Sequence, residues 1–335
     1  MTSSIILSSE KNQIIFVFLL TYSYLCSMQV VNTDSAIKKD SMKAWVLAAR
    51  PKTLSGAAVP VMIGLSLAWA DHYASGTFNW GAAALCLLFA FIMQIDANFI
   101  NDYVDYARGI DDRATRLGPE RACTQGWVSI KKMKRVIAAT TCLACLVGLP
   151  LVWYGGMAMI AVGALCVLFC FLYTTHLSRM GLGDVLVLVF FGLIPVCVTY
   201  YLQLHTVTLE ALLASIACGL VIDALLIVNN FRDRDTDRLA DKLTIAVRIG
   251  AQRTLQLYLL VGIVACLLGI VFLFCGRWLV FVTPLLYLSL HYFTYLKMKE
   301  IWEGRQLNNC LGATARNIFI YGLLVSFALL LSANI

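Results

Sequence analysis

The stretch NFINDYVDYARGIDD, residues 98–112, packs four aspartates and two asparagines into fifteen positions. The run before it, residues 80–101, carries Asp96 as its only charge and is long enough to cross a bilayer. A membrane helix that ends in a knot of acids sets two questions: how the rest of the chain is threaded, and what the acids hold.

The composition answers the first. Of 335 residues, 60% are hydrophobic and 13% are charged, whereas a soluble domain carries about 25% charged residues. Mean hydropathy is +0.80. Nine apolar segments approach the twenty or so residues that a hydrocarbon core requires: 53–70, 80–101, 134–154, 156–175, 183–203, 209–230, 254–275, 278–297 and 313–332. The expected fold is an all-α polytopic membrane protein, with nine transmembrane helices around a central cavity, in one domain over 43–335. Residues 1–42 read as a poorly defined extension. Their apolar part, 14–31, suits a signal-like segment or a further span, and Met28 or Met42 could serve as the initiator. Twelve cysteines are scattered through the apolar runs and read as small core residues rather than a disulfide framework.

Charge placement sets the orientation. The 101–133 connection carries Arg108, Arg113, Arg116, Arg121, Lys131 and Lys132. The 231–253 connection carries Arg232, Arg234, Arg238, Lys242, Arg248 and Arg253, while the opposite side holds Arg277 alone. By the positive-inside rule both connections face the cytoplasm, and the active face is expected on that side of the cell's inner membrane.

A second acidic patch, NNFRDRDTDRLADK, begins at Asn229, and its acids lie just past span six. If span two continues as a helix, Asn98, Asp102 and Asp105 stand at i, i+4 and i+7, on one face. Asn229, Asp233 and Asp237 stand at i, i+4 and i+8. Gly109 then breaks the first helix and lets Asp111 curl back. A single acid-rich connection is usually a solvated loop; two Asn-to-Asp stripes at the same membrane edge are a far more specific signal. Stacked carboxylates repel unless cations intervene. Oxygen-only donors suit Mg²⁺, which bridges a few carboxylates to substrate phosphates. Lys52, Arg121, Lys242 and Arg248 lie on the same side and could complete a diphosphate cradle. If that diphosphate were allylic, its loss would leave a cation open to attack by an electron-rich ring, with the isoprenoid tail held among the apolar spans. No nucleic-acid partner is expected.

Several stretches resemble a known family. They are ARPKTL (49–54), NFINDYVDYARGID (98–111), RLGPERACTQG (116–126), GLGDVLVLVFFGLIPV (181–196) and VNNFRDRDTDRLADKLTIAVRIG (228–250). Together they resemble the UbiA superfamily of membrane prenyltransferases, and within it the 1,4-dihydroxy-2-naphthoate polyprenyltransferase branch of menaquinone synthesis. The resemblance implies nine helices and two metal–diphosphate motifs: Asn98, Asp102 and Asp105 with Asp111 trailing, and Asn229, Asp233 and Asp237. It puts Asp102, Asp105, Asp233 and Asp237 in catalytic positions, with Asp111 as a fifth metal ligand. It places Lys52 in an R-P-K-T motif and Arg121 and Gln125 in a capping loop. Lys242, Thr244 and Arg248 fall in the K-x-T-x-x-x-R that follows the second motif. The implied substrates are a polyprenyl diphosphate and 1,4-dihydroxy-2-naphthoate, and the products are demethylmenaquinone, CO₂ and diphosphate. The spacing Asp102–Asp105–Asp111 differs from the even D-x-x-x-D of other branches.

Three more acids have two readings each. Asp184 caps span five or contacts the acceptor; Asp96 and Asp223, deep in spans two and six, are functional or are packed and protonated. His291 reads as a satisfied core residue. Two rival functions remain: the same chemistry on 4-hydroxybenzoate, which the GPERACTQG loop disfavours, and a cation transporter using intramembrane carboxylates, which would need its acids nearer the midplane.

Overall fold

The computed structural model describes residues 37–72, 78–109 and 116–333. The apolar 14–31 segment and Asp111 lie outside the described residues. Among those described, nine helices are long and apolar enough to cross a membrane. They are α1 (Met42–His72), α2 (Trp80–Ala107), α3 (Ile130–Gly155), α4 (Ala158–Leu177), α5 (Gly183–Leu204), α6 (Leu209–Leu239), α7 (Ala251–Phe274), α8 (Trp278–Ile301) and α9 (Leu307–Ser332).

The first helix starts earlier than expected and is broken. Ser41 caps it by accepting the Ala44 N–H at 3.3 Å. Arg50 then adopts φ +51°, and Pro51, lacking an N–H, restarts the chain as a single 3₁₀ turn over Pro51–Thr53. Residues just before the cap belong to the folded unit. Asp40 accepts the Ser129 N–H at 3.1 Å and pairs with Lys132 at 2.9 Å; that ammonium and that N–H hold its carboxyl below the ordinary value.

Helix length puts the acids outside the hydrocarbon. α6 has 31 residues, roughly 46 Å at 1.5 Å per residue, against a hydrocarbon core of about 30 Å. α2, with 28 residues, overruns as well. The surplus of each leaves room for its acid-bearing end beyond the hydrocarbon.

α6 is the hub. It packs on α5, α7 and α9, and α1 packs on α5 and α9, joined by a core that includes Met62, Leu67, Tyr200, Val221 and Ile318. α5 approaches through a π-helical stretch, Leu188–Leu193. A side chain at Gly192 would lie 2.5 Å from the Ser215 carbonyl oxygen and 2.8 Å from the Gly219 Cα; two glycines let these helices touch backbone to backbone. α3 and α4 are the least buried spans. The described cysteines are unpaired thiols, and Cys142 and Cys145 are exposed on α3 rather than packed.

Between α1–α6 lies a cavity of about 880 Å³. Its walls are apolar, with Phe89, Met93, Phe169, Phe190 and Val198 among them. Towards the acid-bearing ends of α2 and α6 it becomes polar, at Thr53, Gln94, Asn101, Tyr173 and Asn229. At the far end of the bundle Arg277 pairs with Asp71 at 2.6 Å. The Tyr200 hydroxyl donates to the same carboxylate at 2.5 Å.

Candidate active site

On α2 the residues that line the cavity are Cys86, Phe89, Ala90, Met93, Gln94, Ala97 and Asn101. The stripe continues to Asp105, one turn beyond Asn101. The expected stripe of Asn98 and Asp102 is therefore a neighbouring one. Asn98 donates to the Ala49 carbonyl and the Thr53 hydroxyl, both at 2.9 Å, and so pins the chain that enters the first span. Asp102 is 1% exposed. Its two oxygens accept the backbone N–H groups of Ala122 (2.8 Å) and Cys123 (3.1 Å). With both oxygens so engaged it anchors a loop and is no open metal ligand. Asp105, by contrast, keeps 23% of its side chain accessible and meets Arg121 at 2.7 Å. Asn101 was missed in the sequence reading; it accepts a hydrogen bond from Thr174.

On α6 the expected stripe begins in the cavity wall. Ile222, Leu225, Leu226 and Asn229 line it, and Asp233 follows one turn on. Arg232 grips Asp233 with two bonds, at 2.7 and 2.6 Å. Asp237 meets Lys242 at 3.2 Å and the Thr244 hydroxyl at 3.4 Å.

The 116–126 loop ties the two acid ends together. Beyond Asp102 and Asp105 it reaches α9 and α6: Asn308 donates to the Leu117 carbonyl (2.8 Å) and accepts from Arg232 (2.8 Å), and Arg305 donates to the Arg116 carbonyl at 3.1 Å. The loop passes close to α6 at Gly118, where a Cβ would sit 2.8 Å from the Arg232 guanidinium. The two acidic patches thus share one end of the bundle under one cap. Asp105 and Asp237 both act electrostatically on the Tyr173 hydroxyl. Within the cap, Gln125 bonds through its N–H to the Arg121 carbonyl at 2.9 Å. Burial, with the Asp102 charge beside it, pushes the Cys123 thiol up.

The remaining bases divide. Lys52 is exposed, beside the cavity-lining Thr53. Arg248 spends its guanidinium on the Leu243 and Met180 carbonyls, at 3.1 and 2.6 Å; it fastens the turn before α5 to the turn after α6 and does not join the cradle. Asp184 lines a small polar annex with Tyr173, Asn230, Lys242 and Thr244. Among the buried groups, Asp96 accepts from the Thr140 and Thr141 hydroxyls and joins α2 to α3. His291 stacks on Tyr258 at 4.2 Å in the core.

Among the described residues no three acids, cysteines or histidines close into a ready metal cluster. The donor set still fits Mg²⁺. Asp105 from α2 and Asp233 and Asp237 from α6 supply hard oxygens, Asn101 and Asn229 lie a turn deeper, and each acid is balanced by Arg121, Arg232 or Lys242. A cation that keeps most of its shell and is held by one or two carboxylates plus phosphate oxygens needs no preformed cage.

The UbiA prenyltransferase family pattern matches residues 57–309. The 1,4-dihydroxy-2-naphthoate octaprenyltransferase of Escherichia coli K12 is 37% identical over 67% of this chain and 75% of its own. The enzyme of the same name from Mycobacterium tuberculosis H37Rv is 36% identical over 72% and 81%. In fold, a UbiA homolog from Archaeoglobus fulgidus, solved bound to DMAPP and Mg²⁺, superposes with a TM-score of 0.57. It is 17% identical, and the match covers 85% of this chain and 98% of that one. This chain is a prenyltransferase of the UbiA family.

Proposed function

We propose that the protein transfers a polyprenyl group from polyprenyl diphosphate to 1,4-dihydroxy-2-naphthoate, giving demethylmenaquinol, the two-electron-reduced form of demethylmenaquinone, with release of CO₂ and diphosphate. The observation that carries the reading is the apolar cavity ending beneath two acid-bearing helices that one loop holds together. A lipid tail fits the walls and a diphosphate fits the polar end. The named relatives supply the acceptor.

In this reading Asp105, Asp233 and Asp237 hold Mg²⁺, with Asn101 and Asn229 beneath them. Bound there, the metal would neutralise charge that builds on the departing diphosphate. Lys52, Arg121, Arg232 and Lys242 add cations beside it. The 116–126 loop roofs the site, and the apolar walls keep water from an allylic cation. By the positive-inside rule the capped end faces the cytoplasm, across the inner membrane.

The test is an acceptor comparison. Purified protein in lipid nanodiscs is given farnesyl diphosphate with the naphthoate or with 4-hydroxybenzoate, with and without EDTA. Mg²⁺-dependent prenylation of the naphthoate alone is expected. Prenylation of 4-hydroxybenzoate instead would overturn the acceptor assignment.

A further inference from the structure

Behind the cavity lies a chemistry that the metal site does not use. Asp184 opens α5 and Asp223 sits in α6. Each leaves its Oδ1 buried with no hydrogen-bond partner, and Asp223 is only 6% exposed. Asp184 lies near enough for its charge to be felt at Asp223, and both are felt at the Tyr173 hydroxyl. A buried acceptor oxygen without a donor is costly, and a second acid nearby adds like-charge repulsion in a medium of low dielectric. A donated proton relieves both.

The space around them is built to receive a small polar group. The annex of about 20 Å³ is lined by Tyr173, Ser178, Asp184, Asn230, Lys242 and Thr244. That is room for a hydroxyl or one water, and no ring. Tyr173 and Leu226 line both the annex and the main cavity, so the two spaces share a wall. Glycines keep the annex open. A side chain at Gly183 would press on Leu226 at 3.2 Å and touch the Tyr173 ring at 3.8 Å. Gly181 holds φ +75°, and a Cβ there would lie 2.4 Å from the Leu243 carbonyl oxygen. Lys242, the cation of this lining, is paired to Asp237, which leaves the Asp184 oxygen open.

We propose that Asp184 is the base that takes the ring-hydroxyl proton of the aromatic acceptor at the annex mouth, with Asp223 behind it as a positioning residue. The proposal rests on the prenyl-transfer reading of the cavity. The acceptor O–H bond breaks and its proton passes to Asp184. The ring carbon that bears the carboxylate then bonds to the allylic carbon as the C–O bond breaks, and the diphosphate leaves with that electron pair. Loss of CO₂ returns an electron pair to the ring, and the naphtholate oxygen takes the proton back from Asp184. The acid lends one proton and recovers it, so no further reactant is needed.

The experiment compares wild type with Asp184→Asn, Asp184→Glu and Asp223→Asn, each in nanodiscs and each checked for a monodisperse, folded state. The acceptors are a series of naphthoates with increasingly electron-withdrawing ring substituents. General bases contribute about 10²–10⁴-fold. Asp184→Asn should lower kcat by about 100-fold or more on the parent naphthoate, with KM for both substrates little changed. The loss should shrink steadily as the hydroxyl becomes more acidic. Asp184→Glu should recover part of kcat, and Asp223→Asn should fall between. Mg²⁺-dependent binding of a non-reacting prenyl thiolodiphosphate should be unaltered in all three. Unchanged kcat in Asp184→Asn, or a deficit equal across the series, would overturn the proposal. Loss of thiolodiphosphate binding would also overturn it, by moving Asp184 into the diphosphate site. A wild type that prenylates only 4-hydroxybenzoate sinks the acceptor reading; the same variants are then compared on substituted phenols, with the same criteria.

Discussion

Arg121 meets Asp105 at 2.7 Å, reaching from the capping loop to the cavity-facing stripe of α2. One turn back, Asp102 faces away and is sealed beneath the same loop. Two aspartates three positions apart therefore differ in setting: one is sealed under the roof, and the other continues the stripe of Asn101, which lines the cavity.

That division is measurable. Asp233→Asn and Asp105→Asn should each lower kcat/KM by about 10²–10³-fold, the scale expected when one electrostatic contact to a departing group is lost. Asp102→Asn should retain more activity. It should instead loosen the loop, so that Cys123, buried and poorly ionised in the wild type, becomes open to alkylation, read site by site by mass spectrometry. A Cys123 as protected in Asp102→Asn as in wild type would contradict the anchoring role.

The two asparagines of α2 should separate in the opposite sense. Asn98→Ala removes donors to Ala49 and Thr53 and should cost about 1–3 kcal/mol of stability through the unpaired groups left behind. Its KM for prenyl diphosphate should stay near wild type. Asn101→Ala strands one donor, the Thr174 hydroxyl, and should raise that KM, which Asn98→Ala does not. Reversal of this pattern would return the substrate face to Asn98.

Metal removal should abolish turnover without unfolding the bundle. The acids are already balanced by Arg121, Arg232 and Lys242, so the fold does not depend on a cation between them. EDTA should stop prenylation, added Mg²⁺ should restore it, and the melting temperature without substrate should barely move. A large fall in melting temperature with EDTA would point to a structural metal.

Gly192→Leu should destabilise the bundle far from the chemistry. Even a Cβ at that position meets the Ser215 carbonyl at 2.5 Å and Gly219 at 2.8 Å. Overpacking typically costs about 1–3 kcal/mol, and two touching helix backbones have no side chain to yield. A detergent melting curve that matches wild type would show that α5 can retreat from α6 without loss.

The threading of the chain was legible in the sequence, because a bilayer demands length and apolarity and little else. Each of the nine expected segments corresponds to a helix long enough to span, among the described residues. The site was legible in part. On α6 the spacing put Asp233 and Asp237 on the stripe of Asn229, which lines the cavity. On α2 it picked the neighbouring stripe. Asn98–Asp102 and Asn101–Asp105 have the same i, i+4 spacing, and a helix apolar all round gives no periodic signal to decide which stripe turns inward. Only the packing of α2 against α1 and α3 fixes that rotation. Arg248 misled for a related reason. It lies at the same end of the bundle as the acids, but its guanidinium is taken by carbonyls of two turns distant in sequence. The annex was hidden in the same way, since Asp184 and Asp223 come together only when α5 lies on α6.

The long reach of the capping loop also has a bearing on biogenesis. Its near anchors lie on the second helix, but its far anchors, Arg305 and Asn308, stand at the threshold of the ninth. During synthesis the roof is therefore without its last supports until nearly the whole chain has left the ribosome and its final helix has been inserted. A protein truncated before that point would own every acid discussed above and still have no closed chamber in which to use them.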